Sequence, residues 1–291
     1  MILFDANKCV SCNSCIRACP TPEANKAVQT EDGRTVYNID PDKCIRCGAC
    51  VKDCSHGART YEDDTAGFWN DVKGGKQVVL LVAPSIKVAF DGCWRNVLEF
   101  LRSNGVKDIY DVSFGADICT WAHIRYLQKN PGKKLISQPC PAIVNYMLKY
   151  CKEALPNLSP VQSPILCAAI YLRKYLGVNA KLAALTPCIA KQDEFRMTGV
   201  VDYNVTFQHL GQLLEEKGFH LADQKGKRSA FEFSGPQGIM GAIYPRPGGL
   251  KACLELEAPS LNVISSEGTG HIYQELAQYP TCLLYTSPSP R

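Results

Sequence analysis

No run of about 18 consecutive apolar residues occurs in these 291 residues, so the sequence offers no membrane-spanning helix. The N-terminus, MILFDANKCV, lacks the basic stretch and apolar core of a secretory signal, and a cytoplasmic location is expected. Charge of one sign is scarce as well. Thirty-two Lys and Arg against 28 Asp and Glu leave a net +4, too little to mark a nucleic-acid surface. The one dense basic run, Lys225-Gly226-Lys227-Arg228, has no interleaved aromatic residues and reads as a solvated loop. Long disorder is excluded too, because 46% of the residues are apolar and only 21% charged. Length and composition suit about two domains with real cores.

What is abundant is cysteine, 16 in all. Eight of them form an internal repeat, in which Cys9-Val-Ser-Cys12-Asn-Ser-Cys15-Ile-Arg-Ala-Cys19-Pro20 recurs as Cys44-Ile-Arg-Cys47-Gly-Ala-Cys50-Val-Lys-Asp-Cys54-Ser55. The spacing C-x2-C-x2-C-x3-C is that of bacterial ferredoxins holding [4Fe–4S] clusters. Three thiolates on a tight loop cap three corners of an iron–sulfur cube. The fourth, starting a short helix, points the other way, to the neighbouring cube. Cys9, Cys12, Cys15 and Cys54 are therefore expected to bind one cluster, and Cys44, Cys47, Cys50 and Cys19 the other. Disulfides would need an oxidising compartment, and zinc usually takes paired C-x2-C knuckles, so both are weaker readings. Ser55 replaces the second proline at a turn and touches no ligand.

Residues 1–64 read as an α+β ferredoxin-like domain with a short strand at 35–40, and the Gly- and Asp-rich segment 65–76 reads as a linker. Beyond it, apolar runs at 77–83, 108–114, 134–138 and 180–186 are expected as buried strands. Helices are expected over 88–103, 118–129 and 142–154. This alternation indicates an α/β domain with a mainly parallel sheet over 77–280. Residues 281–291, TCLLYTSPSPR, lose both periods and look like a non-native tail, so a C-terminus truncated near 280 is expected.

Of the later cysteines, Cys93, Cys119, Cys151, Cys167 and Cys253 sit in helical apolar patterns and read as small buried hydrophobes. Cys140 and Cys188 stand apart. Each follows an expected strand, in Ser137-Gln-Pro139-Cys140-Pro141 and Thr186-Pro187-Cys188-Ile-Ala-Lys191. Ligands of open parallel sheets bind beyond the carboxyl ends of the strands. Pro141 suits a first helical position, which would place Cys140 at a helix N-terminus, where the dipole favours a thiolate. Lys191 adds positive charge beside Cys188. A shared metal or redox site and two unrelated buried thiols both fit these residues.

The chain resembles the iron-only ([FeFe]) hydrogenase family across essentially all of residues 1–280. Pro187-Cys188-Ile-Ala-Lys191-Gln-Asp-Glu194 matches that family's Pro-Cys-x-x-Lys-x-x-Glu motif, and Ser137-Gln-Pro139-Cys140-Pro141 is similar to its Thr-Ser-Cys-Cys-Pro motif. Val82-Ala-Pro-Ser85, Phe114-Gly-Ala-Asp117 and Pro247-Gly-Gly-Leu250 add to the likeness. The resemblance implies that Cys140 and Cys188 are two of four ligands to the cubane of the hydrogen-converting H-cluster, a [4Fe–4S] cube joined to a di-iron subcluster. It implies that Lys191 contacts the di-iron half and that Glu194 belongs to a proton path; otherwise the two would be an exposed helical ion pair. It also implies a redox partner protein, a ferredoxin or similar electron donor or acceptor, and in full-length relatives a signalling domain.

Two departures matter. The family's proton-relay cysteine is Pro139 here, and proline has no side-chain proton to give. The other two cubane ligands belong to a later motif; Glu267-Gly-Thr-Gly-His271 resembles the segment just upstream of it, and the chain as given is expected to be inactive. Three functions follow as expectations: a hydrogenase-like H2 or redox sensor with weak 2H⁺ + 2e⁻ ⇌ H2 chemistry, a catalytic ferredoxin-linked hydrogenase, and a plain ferredoxin-type electron carrier. The relay-lacking branch of the family is sensory or uncharacterised, which favours the first.

Overall fold

The computed structural model describes residues 1–266, 268–277 and 285–286. Its first 61 residues pair in two antiparallel ribbons. Strand β1 (Ile2–Phe4) pairs with β4 (Arg59–Tyr61), and β2 (Asn25–Gln29) pairs with β3 (Thr35–Ile39). Between them each cysteine loop runs into a one-turn helix, α1 (Ser14–Arg17) or α2 (Ala49–Lys52). The sequence repeat is thus a structural repeat.

The segment expected to be a linker is mostly a helix. In α3 (Thr65–Lys73), Phe68, Trp69 and Val72 are buried in the core of the second domain. The preceding pair of aspartates fastens it. Asp63 accepts from the Thr206 N–H (2.9 Å) and pairs with His209 (3.0 Å), and Asp64 accepts from the Asn204 N–H (2.9 Å) and from Gln192 (3.0 Å). Burial alone would raise the Asp63 carboxyl, but His209, Thr206 and backbone N–H groups hold it down at about 2. Glycine and aspartate content suggested a linker because burial by distant strands is invisible in local composition. Phe68 is fully buried, so Phe68→Ala is expected to cost about 3–5 kcal/mol. Urea unfolding would read this as a lower midpoint at an unchanged m-value.

Four parallel strands form the second domain's sheet: β5 (Val78–Val82), β6 (Asp108–Asp111), β7 (Lys181–Thr186) and β8 (Tyr203–Thr206), in the order β6-β5-β7-β8. Helices α4 (Ile86–Ala89) and α5 (Trp94–Ser103) follow β5, and α6 (Val112–Lys129), α7 (Pro141–Tyr150) and α8 (Pro164–Lys174) follow β6. After β7 comes α9 (Lys191–Thr198), and α10 (Phe207–Glu216) follows β8. Short α11 (Leu221–Gln224), α12 (Gly249–Glu257), a two-residue β9 (Ile264–Ser265) and α13 (Thr269–Ala277) complete the described chain, with β10 (Tyr285–Thr286) pairing parallel to β9. Apart from β10, the expected tail lies outside the described residues.

All five residues of β5 are buried, as a strand covered on both faces requires. Val78, Leu80 and Val82, with Ala183 and Leu185, meet Phe68, Leu98, Leu101, Leu210 and Leu214 on one face. Val79 and Leu81, with Leu182 and Ala184, meet Ile165, Leu166, Ala169, Leu172 and Phe195 on the other. Each fully buried Val, Leu or Phe among them contributes about 1.5–3 kcal/mol relative to exposure.

The boundaries differ from the sequence pattern for local reasons. Strand β6 stops at Asp111 because that side chain accepts from the Ser113 N–H (2.8 Å) and starts α6 six residues earlier than 118. The helix expected over 88–103 is broken at Gly92, whose φ of 74° is left-handed. Residues 134–138 are not a sheet strand: Ile136 makes one isolated parallel bridge to Leu158. Strand β8 carries polar Asn204 at its buried centre, which hides it from a search for apolar runs.

The strand order sets the position of the crevice. The chain leaves β5 for one edge and returns on its other side with β7, so the loops after these two neighbours diverge. That is the topological switch point of a doubly wound sheet, where ligands bind. The residues that emerge there are Ala83-Pro84-Ser85 and Pro187-Cys188.

Candidate metal centre

The only positive-φ residues other than glycine among those described are Ser11, Asn13 and Arg46, at 58°, 60° and 58°, and Gly48 joins them at 82°. All four lie in the cysteine repeats, at matching positions. A non-glycine residue in this region is strained by about 1–2 kcal/mol, and such strain persists where surrounding structure holds it. Its result is a backbone curled inward with N–H groups toward sulfur. The Arg46 N–H reaches Cys44 Sγ at 3.4 Å, and Ser14, through its N–H and side chain, lowers the exposed Cys12 thiol.

Cys9, Cys12, Cys15 and Cys54 line one small cavity, although Cys54 belongs to the other repeat. Cys19, Cys44, Cys47 and Cys50 lie within electrostatic reach of one another. Burial pushes Cys47 and Cys50 up to about 12, and neighbouring thiols add to it. As free thiols Cys47 and Cys50 would stay protonated, so ionising them requires a strong positive charge, which iron supplies. Among the described residues no three donors close on a single-ion point. Four thiolates round one ion at about 2.3 Å each would crowd together, whereas the corners of a cube stand farther apart. The residues present fit two [4Fe–4S] clusters.

At the switch point a cavity of about 300 Å³ is walled by Ala83, Pro84, Pro139, Pro187, Cys188 and Lys191, with Val112 and Ala116 of α6 and Tyr244 beyond. Cys188 is held by its turn. Its N–H donates to Thr186 Oγ1 (3.2 Å), and its carbonyl accepts from Asn204 Nδ2 (2.9 Å), while the Thr186 hydroxyl donates to Asn204 Oδ1 (2.9 Å). Cys140 is the N-cap of α7, with Pro141 in its first turn, and is 1% exposed. Burial, and then the nearby Cys188, push its thiol up to about 12. Burial raises Cys188 as well, against the pull of Lys191. Cys188 thus follows a sheet strand, but Cys140 does not; α7 carries it there.

Lys191 and Glu194 form an ion pair at 2.7 Å that is buried, not an exposed helical pair: Lys191 is 7% exposed. Lys191 lines the cavity, and Glu194 does not. Cys140, Cys188 and Cys47 pack in one cluster with Tyr273 of α13, whose buried hydroxyl has no hydrogen-bond partner. An orphaned donor beside three thiols is what a sulfur-rich group would satisfy. The donor set there is two second-domain cysteines, half of what a cube needs. Cys151, at the far end of α7, is buried in that same cluster and donates to the Leu276 carbonyl (3.2 Å). Cys93, Cys119, Cys167 and Cys253 are buried elsewhere, and Cys282 lies outside the described residues.

Sequence reasoning missed the groups that lock the two domains together. Arg46, between Cys44 and Cys47, pairs with Asp193 of α9 at 2.5 Å. Asn145 of α7 donates to the other Asp193 oxygen (2.9 Å) and to the Ile45 carbonyl (3.2 Å). Lys149 and Tyr150 bind the carbonyls of Cys44 (2.8 Å) and Lys43 (2.7 Å). A Cβ on Gly48 would meet Ile189, the neighbour of Cys188, at 3.4 Å. The second ferredoxin loop is therefore pressed against the Cys188 turn. The family motifs have structural reasons too. Gly115 lets α6 touch α8, where a Cβ would come within 2.2 Å of the Pro164 carbonyl, and Asp117 accepts from the N–H groups of Ile239 (2.9 Å) and Gly241 (2.5 Å).

Fold and site together define an iron–sulfur protein: a ferredoxin-like domain docked on the switch-point crevice of a parallel-sheet domain. The model of the iron only hydrogenase large subunit, C-terminal domain, matches residues 76–271, and the chain belongs to that family. A 4Fe-4S dicluster domain model matches residues 1–55. Among solved structures, an [FeFe]-hydrogenase studied for oxygen inactivation of its H cluster is similar with a TM-score of 0.52 at 16% identity, over 74% of this chain and 78% of that one. An apo [FeFe]-hydrogenase from Chlamydomonas reinhardtii, a cysteine-to-histidine variant, gives 0.51 at 18% identity, over 74% and 77%. At these identities the likeness is one of fold. No curated protein matches the chain. Among the described residues no helix is long and apolar enough to cross a membrane.

Proposed function

We propose that this hydrogenase-like protein passes electrons through two [4Fe–4S] clusters, held by Cys9, Cys12, Cys15 and Cys54 and by Cys44, Cys47, Cys50 and Cys19, toward a centre at Cys140 and Cys188. It works as an H2 or redox sensor with weak hydrogen chemistry, in exchange with a ferredoxin-type redox partner. A bound H-cluster would supply proton and electron exchange with hydrogen. The observation that carries the sensory reading is Pro139, which lines the cavity beside Cys188 and Lys191 and offers neither a side-chain proton nor a backbone N–H. Lys191 lines the cavity while Glu194 holds it, so both serve as binding and positioning groups. The buried Lys191–Glu194 pair is also what a catalytic hydrogenase needs, and it favours that role as the second reading.

The test is protein whose second centre is fully assembled, cluster-loaded and matured with a di-iron subcluster, placed under H2 and followed by electron paramagnetic resonance beside an H2-evolution assay with reduced viologen. A hydrogen-dependent spectral change with slow evolution supports sensing, and rapid evolution overturns it. With two cubane donors in the second domain, the 291-residue chain itself is expected to evolve no H2.

The orphaned Tyr273 hydroxyl supplies a further check. Hydrogen bonds to cluster sulfurs raise reduction potentials by stabilising the more negative, reduced state. Tyr273→Phe is expected to lower the potential of the neighbouring cluster in a redox titration, with little change in thermal stability because that hydroxyl has no protein partner to lose.

A further inference from the structure

Two buried cysteines outside every cluster set stand together behind the cavity wall. Cys119 of α6 and Cys167 of α8 both donate to one acceptor, the Gln162 carbonyl, at 3.3 and 3.4 Å. Their helices touch backbone to backbone at Gly115, one turn before Cys119, against Pro164 and Ala168 on either side of Cys167. Disulfides need close Cα atoms, and two helices in backbone contact one turn away favour them. Val112 and Ala116 of α6, Pro164 and Ile165 of α8, and Tyr244 all line the cavity, and the Tyr244 hydroxyl lies 3.5 Å from Cys119 Sγ. A small oxidant in the cavity is thus one side chain away from the pair.

We propose that Cys119 and Cys167 are a redox-active dithiol that hydrogen peroxide closes to a disulfide. The roles of the two sulfurs differ. The neighbouring Cys119 thiol lowers Cys167 against burial, and Cys119 is itself raised, so Cys167 is the first of the two to ionise. Cys167 attacks a peroxide oxygen; the O–O bond breaks, and the departing hydroxide takes up the proton lost by Cys167, leaving a sulfenic acid and one water. Cys119 then attacks the Cys167 sulfur, the S–O bond breaks, and its hydroxyl leaves as water with the Cys119 proton. The sum is two thiols and one H2O2 giving one disulfide and two H2O: both sulfurs are oxidised and peroxide is reduced. The bond would join α6 to α8 across the cavity wall and remove the thiol facing Tyr244.

The experiment treats the full, cluster-loaded chain with one equivalent of H2O2, quenches in acid, blocks free thiols with N-ethylmaleimide and maps peptides by mass spectrometry. A Cys119–Cys167 linked peptide, two hydrogens lighter than the separate pair and released by dithiothreitol, is expected. In Cys119→Ser, at unchanged iron content, dimedone should instead trap a Cys167 sulfenic acid. Maleimide on both positions after peroxide overturns the proposal, as does linkage of either cysteine to a different partner.

Discussion

Anaerobic reconstitution with iron and sulfide is expected to load about eight irons per chain, and single ligand substitutions should remove them in blocks of about four. The arrangement of the repeats makes the test sharp. Cys54 lines the cavity of the first loop, beside Cys9, Cys12 and Cys15, although it ends the second repeat. Cys19 reciprocally lies near Cys44, Cys47 and Cys50. Cys12→Ala combined with Cys54→Ala should therefore lose no more iron than either alone, because both strike one cluster. Cys12→Ala combined with Cys19→Ala should lose nearly all of it. The opposite pattern, measured as iron and acid-labile sulfide per chain, would mean that each repeat serves its own cluster. Iron near twelve would show a third cube that two cysteines in the second domain should not support.

In protein whose second centre is fully assembled, Pro139→Cys is expected to raise H2 evolution at least roughly tenfold. Position 139 opens on the cavity, and the substitution leaves Cys140 as N-cap of α7 and Pro141 in its first turn. A thiol there could take and return protons, and a positioned acid or base contributes typically about 10²–10⁴-fold. Lys191 is a poor substitute, because its proton is held by Glu194 at 2.7 Å in a buried pair. Proline also stiffens the approach to Cys140, so iron content is measured with the rate. An unchanged rate in a fully loaded variant, or fast evolution with Pro139 in place, would remove the support for sensing.

The cysteine repeat was legible because its chemistry is local. Three ligands within one short loop have their geometry set by the x2-x2 spacing, and the left-handed residues the loop needs sit between them. Motif likeness likewise pointed to Cys188, Lys191 and Glu194 together, since they share one turn and one helix. Strand β5 was legible for a different reason: a strand covered on both faces is apolar throughout. Local pattern failed where burial came from afar. Thr65–Lys73 looks like a linker until β8 and α10 cover Phe68, and β8 itself is masked by Asn204, whose amide holds the Cys188 turn.

The sequence by itself determined the donor chemistry, two cysteine repeats of ferredoxin spacing, and the parallel-sheet class of the second domain. Only the tertiary structure decided where they meet. The order β6-β5-β7-β8 opens the crevice between β5 and β7, and the half-buried Asp193, paired with Arg46 on a loop far away in sequence, presses the second cysteine loop against Cys188. The same holds for Cys119 and Cys167, which read one at a time as bland apolar positions. Their chemistry arises from closeness, and closeness between distant residues depends on packing that no local spacing encodes.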